Sequence, residues 1–257
     1  MKKFYILAAA AVMFGGITSS ASAQIFQSDF GGADGTVVNG HVANTGQTWG
    51  AFSLWGSYGG METDDAAGPS GNGSGNQGAG SYGATFRGNS VGIGQALTSG
   101  KVFFDFDMTT TLSGGGGAFA VTWLSDSVNG KSIAITRQND RMGVDDLVIS
   151  APGFPETGFS TGVAEGGSTT TLHVQLEVNL TTSTLDVHWH DYDNPATKGT
   201  INVGTIEGPY QPDMIHIWGR AATSIRHGWD NIAVTPEPAS LILFSAGAML
   251  LGLRRRR

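Results

Sequence analysis

The chain has 257 residues, 40 of them glycine and none cysteine, with a formal charge of −7 at pH 7. The glycines follow no G-X-Y period, which excludes a collagen-like fibre, and without cysteine the fold must hold with neither disulfides nor thiol chemistry. Lys2, Lys3 and Arg254 to Arg257 lie at the ends, so residues 24–238 keep eight basic against 21 acidic residues, a formal −13, which argues against nucleic acid or anionic lipid as partners because both need basic patches.

Lys2 and Lys3 precede an apolar run from Phe4 to Ile17, and Ala21-Ser22-Ala23 has the A-x-A form of a secretory cleavage site. Residues 1–23 are expected to be a signal peptide cleaved after Ala23. Residues 24–235 make a stretch of about the right length for one all-β domain.

No helical period runs through this body. Short β-type stretches recur between turn signals instead. Ile25–Phe30 reads as an edge strand, and Trp49–Trp55 as a second strand whose Trp49, Phe52 and Trp55 serve core or surface. Residues 59–80 are rich in glycine, serine and asparagine and read as a long loop. Tyr82–Leu97 is expected to hold two short strands. In Lys101–Leu112 the alternation is strong: Val102, Phe104, Phe106, Met108 and Leu112 share one face, with Asp105, Asp107, Thr109 and Thr111 opposite. Gly114–Gly117 turn the chain into Ala118–Leu124. Ser132–Arg137 and Met142–Ser150 read as a hairpin through Asn139-Asp140, and 151–167 as a loop.

The clearest hairpin is LHVQLEVNLTTSTLDVHWHDYD, residues 172–193. A turn centred on Thr182-Ser183 sets Leu180 opposite Leu185, Val178 opposite Val187 and Leu176 opposite Trp189. On the polar face Asn179 then meets Asp186, Glu177 meets His188 and Gln175 meets His190. Such alternation implies one buried and one wet sheet face. Ile201–Ile206, Met214–Trp218 and Ile225–Val234 complete the strands. The sum is an all-β, antiparallel two-sheet jelly-roll sandwich.

The chain closes on Pro236-Glu237-Pro238, then Ala239–Leu253 without a charge, then four arginines. Proline cannot continue a strand or enter a helix interior. Fifteen helical residues span about 22 Å, short of the ~30 Å hydrocarbon core, with arginine stems able to snorkel. The basic end is expected on the cytoplasmic side. This order resembles the PEP-CTERM sorting signal of Gram-negative bacteria. The resemblance implies recognition by the membrane protease-transpeptidase exosortase, removal of the tail (236–257, with the transmembrane run 239–253) near Pro236, Glu237 and Pro238, an inner-membrane intermediate, and delivery to the cell surface or exopolysaccharide matrix. The opening stretch 25–55 and the closing GWDNIAVT are similar to those of laminin-G-like and concanavalin-like sandwich domains.

No complete catalytic motif is present. Gly71–Gly75 reads GNGSG, with Gly73 where a hydrolase nucleophile elbow needs serine. Glu62-Thr63-Asp64 begins the E-x-D pattern of β-glucan hydrolases, but Ala66 and Ala67 stand where the second glutamate belongs. Glu62, Asp64 and Asp65 are oxygen ligands of the kind calcium takes, without EF-hand spacing; a solvated acidic loop is the plainer reading. His188 and His190 share a strand face with Glu177 opposite, Asp191 and Asp193 beyond and His173 at the far end, which is either a zinc or copper site or a wet polar face; the wet face is preferred. No cofactor is expected. For carbohydrate, aromatic stacking with polar neighbours nominates Tyr192, Tyr210, Trp218, Trp229, Arg226, Asp230 and Asn231, although Trp229-Asp230-Asn231 also suits a core ring with a capped turn. The reading is an exported, non-enzymatic surface or matrix protein that binds polysaccharide or packs as a matrix component. The alternative is a polysaccharide-acting glycoside hydrolase or lyase.

Overall fold

The structure is a computed structural model that describes residues 24–30, 38–51, 62–63, 75–77, 85–111, 119–138, 147–163, 169–221 and 227–237. The signal-peptide segment, the apolar run of the tail, and the expected turns at 114–117 and Asn139-Asp140 lie outside these residues. Among the described residues there are fifteen strands and no helix, and therefore none long and apolar enough to cross a membrane.

The strands form two antiparallel sheets. The first is built from β1 (Phe26–Ser28), β3 (Glu62–Thr63), β4 (Gly75–Gln77), β6 (Lys101–Thr111), β11 (Thr169–Asn179), β12 (Thr184–Asp191), β13 (Lys198–Thr205) and β15 (His227–Pro236). Its order is β13-β12-β11-β6-β15-β4-β3, with β1 also paired to β15. The second contains β2 (Gly50–Ala51), β5 (Thr85–Gly92), β7 (Phe119–Asp126), β8 (Lys131–Gln138), β9 (Leu147–Ala151), β10 (Phe154–Phe159) and β14 (Met214–Ala221), in the order β10-β9-β8-β7-β14-β5-β2. Residues Gln24–Thr235 form one compact unit.

The alternating pattern explains the layering. Val102, Phe104, Phe106 and Met108 of β6 join Leu172, Val174, Leu176 and Val178 of β11 in one buried cluster with Leu124, Ile133, Ile135, Ile215 and Ile217 from the second sheet. Each fully buried side chain of this size contributes about 1.5–3 kcal/mol. Polar ties cross the core as well. Trp229 is 0 % exposed, and its indole N–H donates to the Thr122 hydroxyl of β7 at 3.0 Å. Buried Arg137 of β8 donates to the carbonyls of Met108 and Thr170 at 3.2 and 2.7 Å and to the Thr170 hydroxyl. Trp49 is also core, donating to Ser28 Oγ at 3.1 Å.

Four expectations need correction. Within the glycine-rich stretch, Glu62–Thr63 and Gly75–Gln77 pair with each other, and Gly75–Gln77 pairs with β15, so backbone hydrogen bonds hold segments that have few apolar residues. Residues 85–92 form one strand, where two were expected. The loop expected at 151–167 contains β10, joined to β9 through Pro152-Gly153, where Gly153 has φ 77°. Pro155 is tolerated there because β10 is an edge strand. Finally, the register of the β11–β12 hairpin is offset by two residues from the expected one: Val178 faces Leu185, Leu176 faces Val187 and Val174 faces Trp189. Apolar still meets apolar, since a shift of two preserves the faces. The cause is the turn. Asn179 Oδ1 accepts the N–H groups of Thr181 and Thr182 at 3.1 and 3.0 Å, and Ser183 takes a positive φ of 54°, closing a four-residue loop. A two-residue turn on Thr182-Ser183 would instead force positive φ on β-branched Thr182.

Candidate functional site

The outer face of the first sheet carries the polar half of the same alternation. Asp105 and Asp107 project from β6, His173, Gln175 and Glu177 from β11, His188 and His190 from β12, and Lys198 and Thr200 from β13. The two-residue register offset decides who meets whom: His173 lies opposite His190 and opposite Asp107, while Gln175 lies opposite His188 and Asp105. The turn expected from sequence puts Gln175 opposite His190 and Glu177 opposite His188, and neither pairing forms.

Asp107 is the hub. It is 2 % exposed; Oδ1 lies 2.7 Å from His173 Nδ1, and Oδ2 accepts from Asn231 Nδ2 at 2.7 Å. Asn231 reaches it from a left-handed backbone position, φ 50°, in β15, a conformation asparagine tolerates better than other side-chain-bearing residues. Asp105 accepts from Gln175 Nε2 at 2.7 Å and lies 3.7 Å from His173 Nε2. The hydrogen bonds to Asp105 and Asp107 push the His173 imidazole up to about 9, against the opposing effect of burial. His190, with its ring centroid 4.7 Å from that of His173, is held below the ordinary histidine value by desolvation and then by the His173 charge. Glu177 bonds Lys101 at 2.7 Å and lies 3.6 Å from His188 Nε2; the Lys101 bond holds its carboxyl below the usual range. His188 Nδ1 is 3.0 Å from the Thr200 hydroxyl.

Beside this network is a cleft of about 610 Å³ lined by His173, Gln175, His188, Trp189, His190, Lys198, Gly199 and Thr200. Gly199 allows the Trp189 ring to lie flat against β13: a Cβ there would stand 2.7 Å from Trp189 Cζ2. The lining supplies imidazole, carboxamide, hydroxyl and ammonium groups, able together to donate and accept hydrogen bonds. Among the described residues no group of histidines and carboxylates has the geometry to hold a metal ion.

The residues nominated for sugar stacking fall elsewhere. Trp229 and Asp230 are buried inside the sandwich, so neither presents a surface to a ligand. Tyr210 is buried too, its hydroxyl donating to the Leu124 carbonyl. Trp218 lies on the outer face of the second sheet, stacked on Trp123 at 5.9 Å and 17° with His216 beside Trp123, but it is only 4 % exposed and offers no open ring face. Asn231 positions Asp107. Tyr192 is exposed, at 39 %, and lies just after β12. Arg226, Asp64 and Asp65 lie outside the described residues, and Glu62 is described in its backbone alone. Sequence reasoning missed Lys198, Gly199 and Thr200, which carry no pattern of their own, and the part played by Asp105 and Asp107.

A family model described as the PEP-CTERM protein-sorting motif matches residues 234–257. The chain carries a PEP-CTERM sorting motif. That motif marks export through the membrane-associated exosortase pathway and processing by exosortase. No curated protein sequence matches the chain. Solved structures with a similar fold include lectin UEA-II complexed with galactose (9 % identity, TM-score 0.47, 82 % of this chain and 100 % of that one). A seed lectin of Lotus tetragonolobus is another (8 % identity, TM-score 0.44, 80 % and 100 %). A GH131 β-glucanase catalytic domain from Podospora anserina also aligns (9 % identity, TM-score 0.42, 80 % and 86 %). The two-sheet antiparallel sandwich of this chain rests on its own strand order.

Proposed function

We propose that this chain is an exported, non-enzymatic protein of the cell surface or extracellular matrix, passed through the inner membrane and released by cleavage at its PEP-CTERM tail, and that its sandwich binds polysaccharide. The observation that carries the binding is the cleft on β11–β13. At about 610 Å³ it falls within the range of small-molecule sites, roughly 300–1,000 Å³, and it combines one indole with convergent polar groups. Sugar hydroxyls donate and accept at once, as do the Thr200 hydroxyl and the Gln175 carboxamide of the lining. Trp189 borders the cleft while packing against the hydrophobic core.

The test is retention of the exported protein, purified from its host, on a panel of insoluble polysaccharides. His188→Ala and Thr200→Ala should each weaken retention about tenfold, the effect of one lost hydrogen bond in a desolvated site. No retention on any polysaccharide would remove the binding reading. Release of reducing ends or unsaturated sugars during the same incubation would replace the non-enzymatic reading with a hydrolase or lyase.

A further inference from the structure

We propose that the ligand of this cleft is an acidic saccharide, one with a carboxylate on its ring, held between Lys198 and the imidazoles of His188 and His190. This rests on the polysaccharide-binding reading above and narrows it to a substrate class.

The charge distribution carries the inference. Residues 24–238 hold eight basic and 21 acidic residues. The cleft nevertheless is lined by three histidines and a lysine, with no carboxylate among the described lining residues. The acids of the same sheet face are already committed. Asp107 accepts from His173 and Asn231, Asp105 accepts from Gln175, and Glu177 is bonded to Lys101. Asp191, at the end of β12, accepts the backbone N–H of Asp193 through Oδ1. Asp186 faces Glu177 at the other end of the hairpin. Lys198 is exposed and makes no ion pair among the described residues. Lys198 and the His190 imidazole thus face a cleft whose described lining holds no carboxylate, while His188 Nε2 lies 3.6 Å from Glu177, which is itself bonded to Lys101, and the wider negative field is screened beyond about 8 Å at physiological salt.

An arriving carboxylate would also change protonation. His190 stands next to the charged His173 ring, which disfavours a second positive charge; an anion held beside His190 offsets that penalty. Binding therefore takes up a proton at neutral pH, and affinity rises as the pH falls, by up to about tenfold for each pH unit over which one proton is taken up. The groups that set this response are His173, Glu177 and Asp191 on β11 and β12, Asp105, Asp107 and Lys101 on β6, and Lys198 on β13.

The experiment measures binding of the exported protein to soluble polygalacturonate and to uncharged dextran, at about pH 5.5 and about pH 7.5 and constant ionic strength, a range that spans the ordinary histidine value while uronate stays ionised. Polygalacturonate should bind at least about tenfold tighter than dextran at the lower pH and lose about threefold or more at the higher one. His190→Gln should flatten the pH response, while Lys198→Gln should reduce the preference for polygalacturonate and keep the slope. Equal affinity for both polymers at both pH values would overturn the acidic-ligand inference and leave the polysaccharide reading standing. Failure of polygalacturonate, dextran and every polysaccharide of the retention panel to bind would remove both.

Discussion

Replacing Asp107 with asparagine should cost this protein about 3 kcal/mol of stability near neutral pH. The carboxylate is buried between two donors, His173 Nδ1 and Asn231 Nδ2, each at 2.7 Å, and so ties β11 and β15 to β6. An asparagine has one oxygen for the two donors, so one of the two hydrogen bonds is lost or must be remade by a turned Asn231 amide or a neutral His173, at a cost of about 1–3 kcal/mol. The lost ion pair adds to this. His173 is raised from 6.5 to about 9, which corresponds to at most about 3 kcal/mol of native-state preference for the imidazolium. The unfolded imidazole releases its proton near 6.5 and the native one near 9. This contribution is therefore fully present below 6.5 and is lost as the pH rises through 9. Urea unfolding followed by tryptophan fluorescence at about pH 6 and about pH 9.5 separates the parts. Wild type should lose stability between the two values, and Asp107→Asn should be weaker at the lower pH with a much flatter response. A variant within about 0.5 kcal/mol of wild type, with the same pH slope, would refute the hub reading.

Other perturbations probe different layers. Trp229→Phe should cost about 1–3 kcal/mol, measured by urea unfolding, because it empties part of a fully buried site and strands the Thr122 hydroxyl. Gly199→Ala should move the Trp189 ring, shifting tryptophan emission and weakening polysaccharide retention, since the added Cβ would meet the ring at 2.7 Å. His216 is lowered to about 4, chiefly by desolvation, so its neutral form is the native one; this contribution to stability should be lost as the pH falls from 6.5 through 4, and His216→Gln should remove that part of the acid response in thermal melts. Replacing Pro236, Glu237 and Pro238 with alanines should hold the protein in the membrane fraction, read by fractionation and immunoblot.

Much of the sandwich was legible because strand alternation is local. Val102 to Met108 and Leu172 to Val178 announce their buried faces without reference to anything distant, and these residues form the core. Strands poor in apolar residues were not legible: β4 is held by backbone pairing to β15, more than a hundred residues away, and β3 by pairing to β4. The candidate site was half visible. The histidines stood out on the polar face of one hairpin, but the partner of His173 is Asp107, 66 residues earlier, and β6–β11 pairing cannot be read from spacing. The two-residue register offset came from Asn179 and Ser183, whose capping and left-handed geometry outweighed an equally good apolar match. The aromatic nominations misjudged depth: Trp229 has a polar N–H that a buried threonine satisfies, so a ring that reads as a surface platform fills the core instead.

The most direct test of the account is the intact mass and location of the protein in its host, comparing surface material with membranes. The account predicts a surface-fraction species beginning at Gln24 and ending near Glu237. A species that keeps Arg254 to Arg257 and sediments with the membrane would contradict it, because the tail would then be a permanent anchor and the sandwich would not be released to meet a polysaccharide.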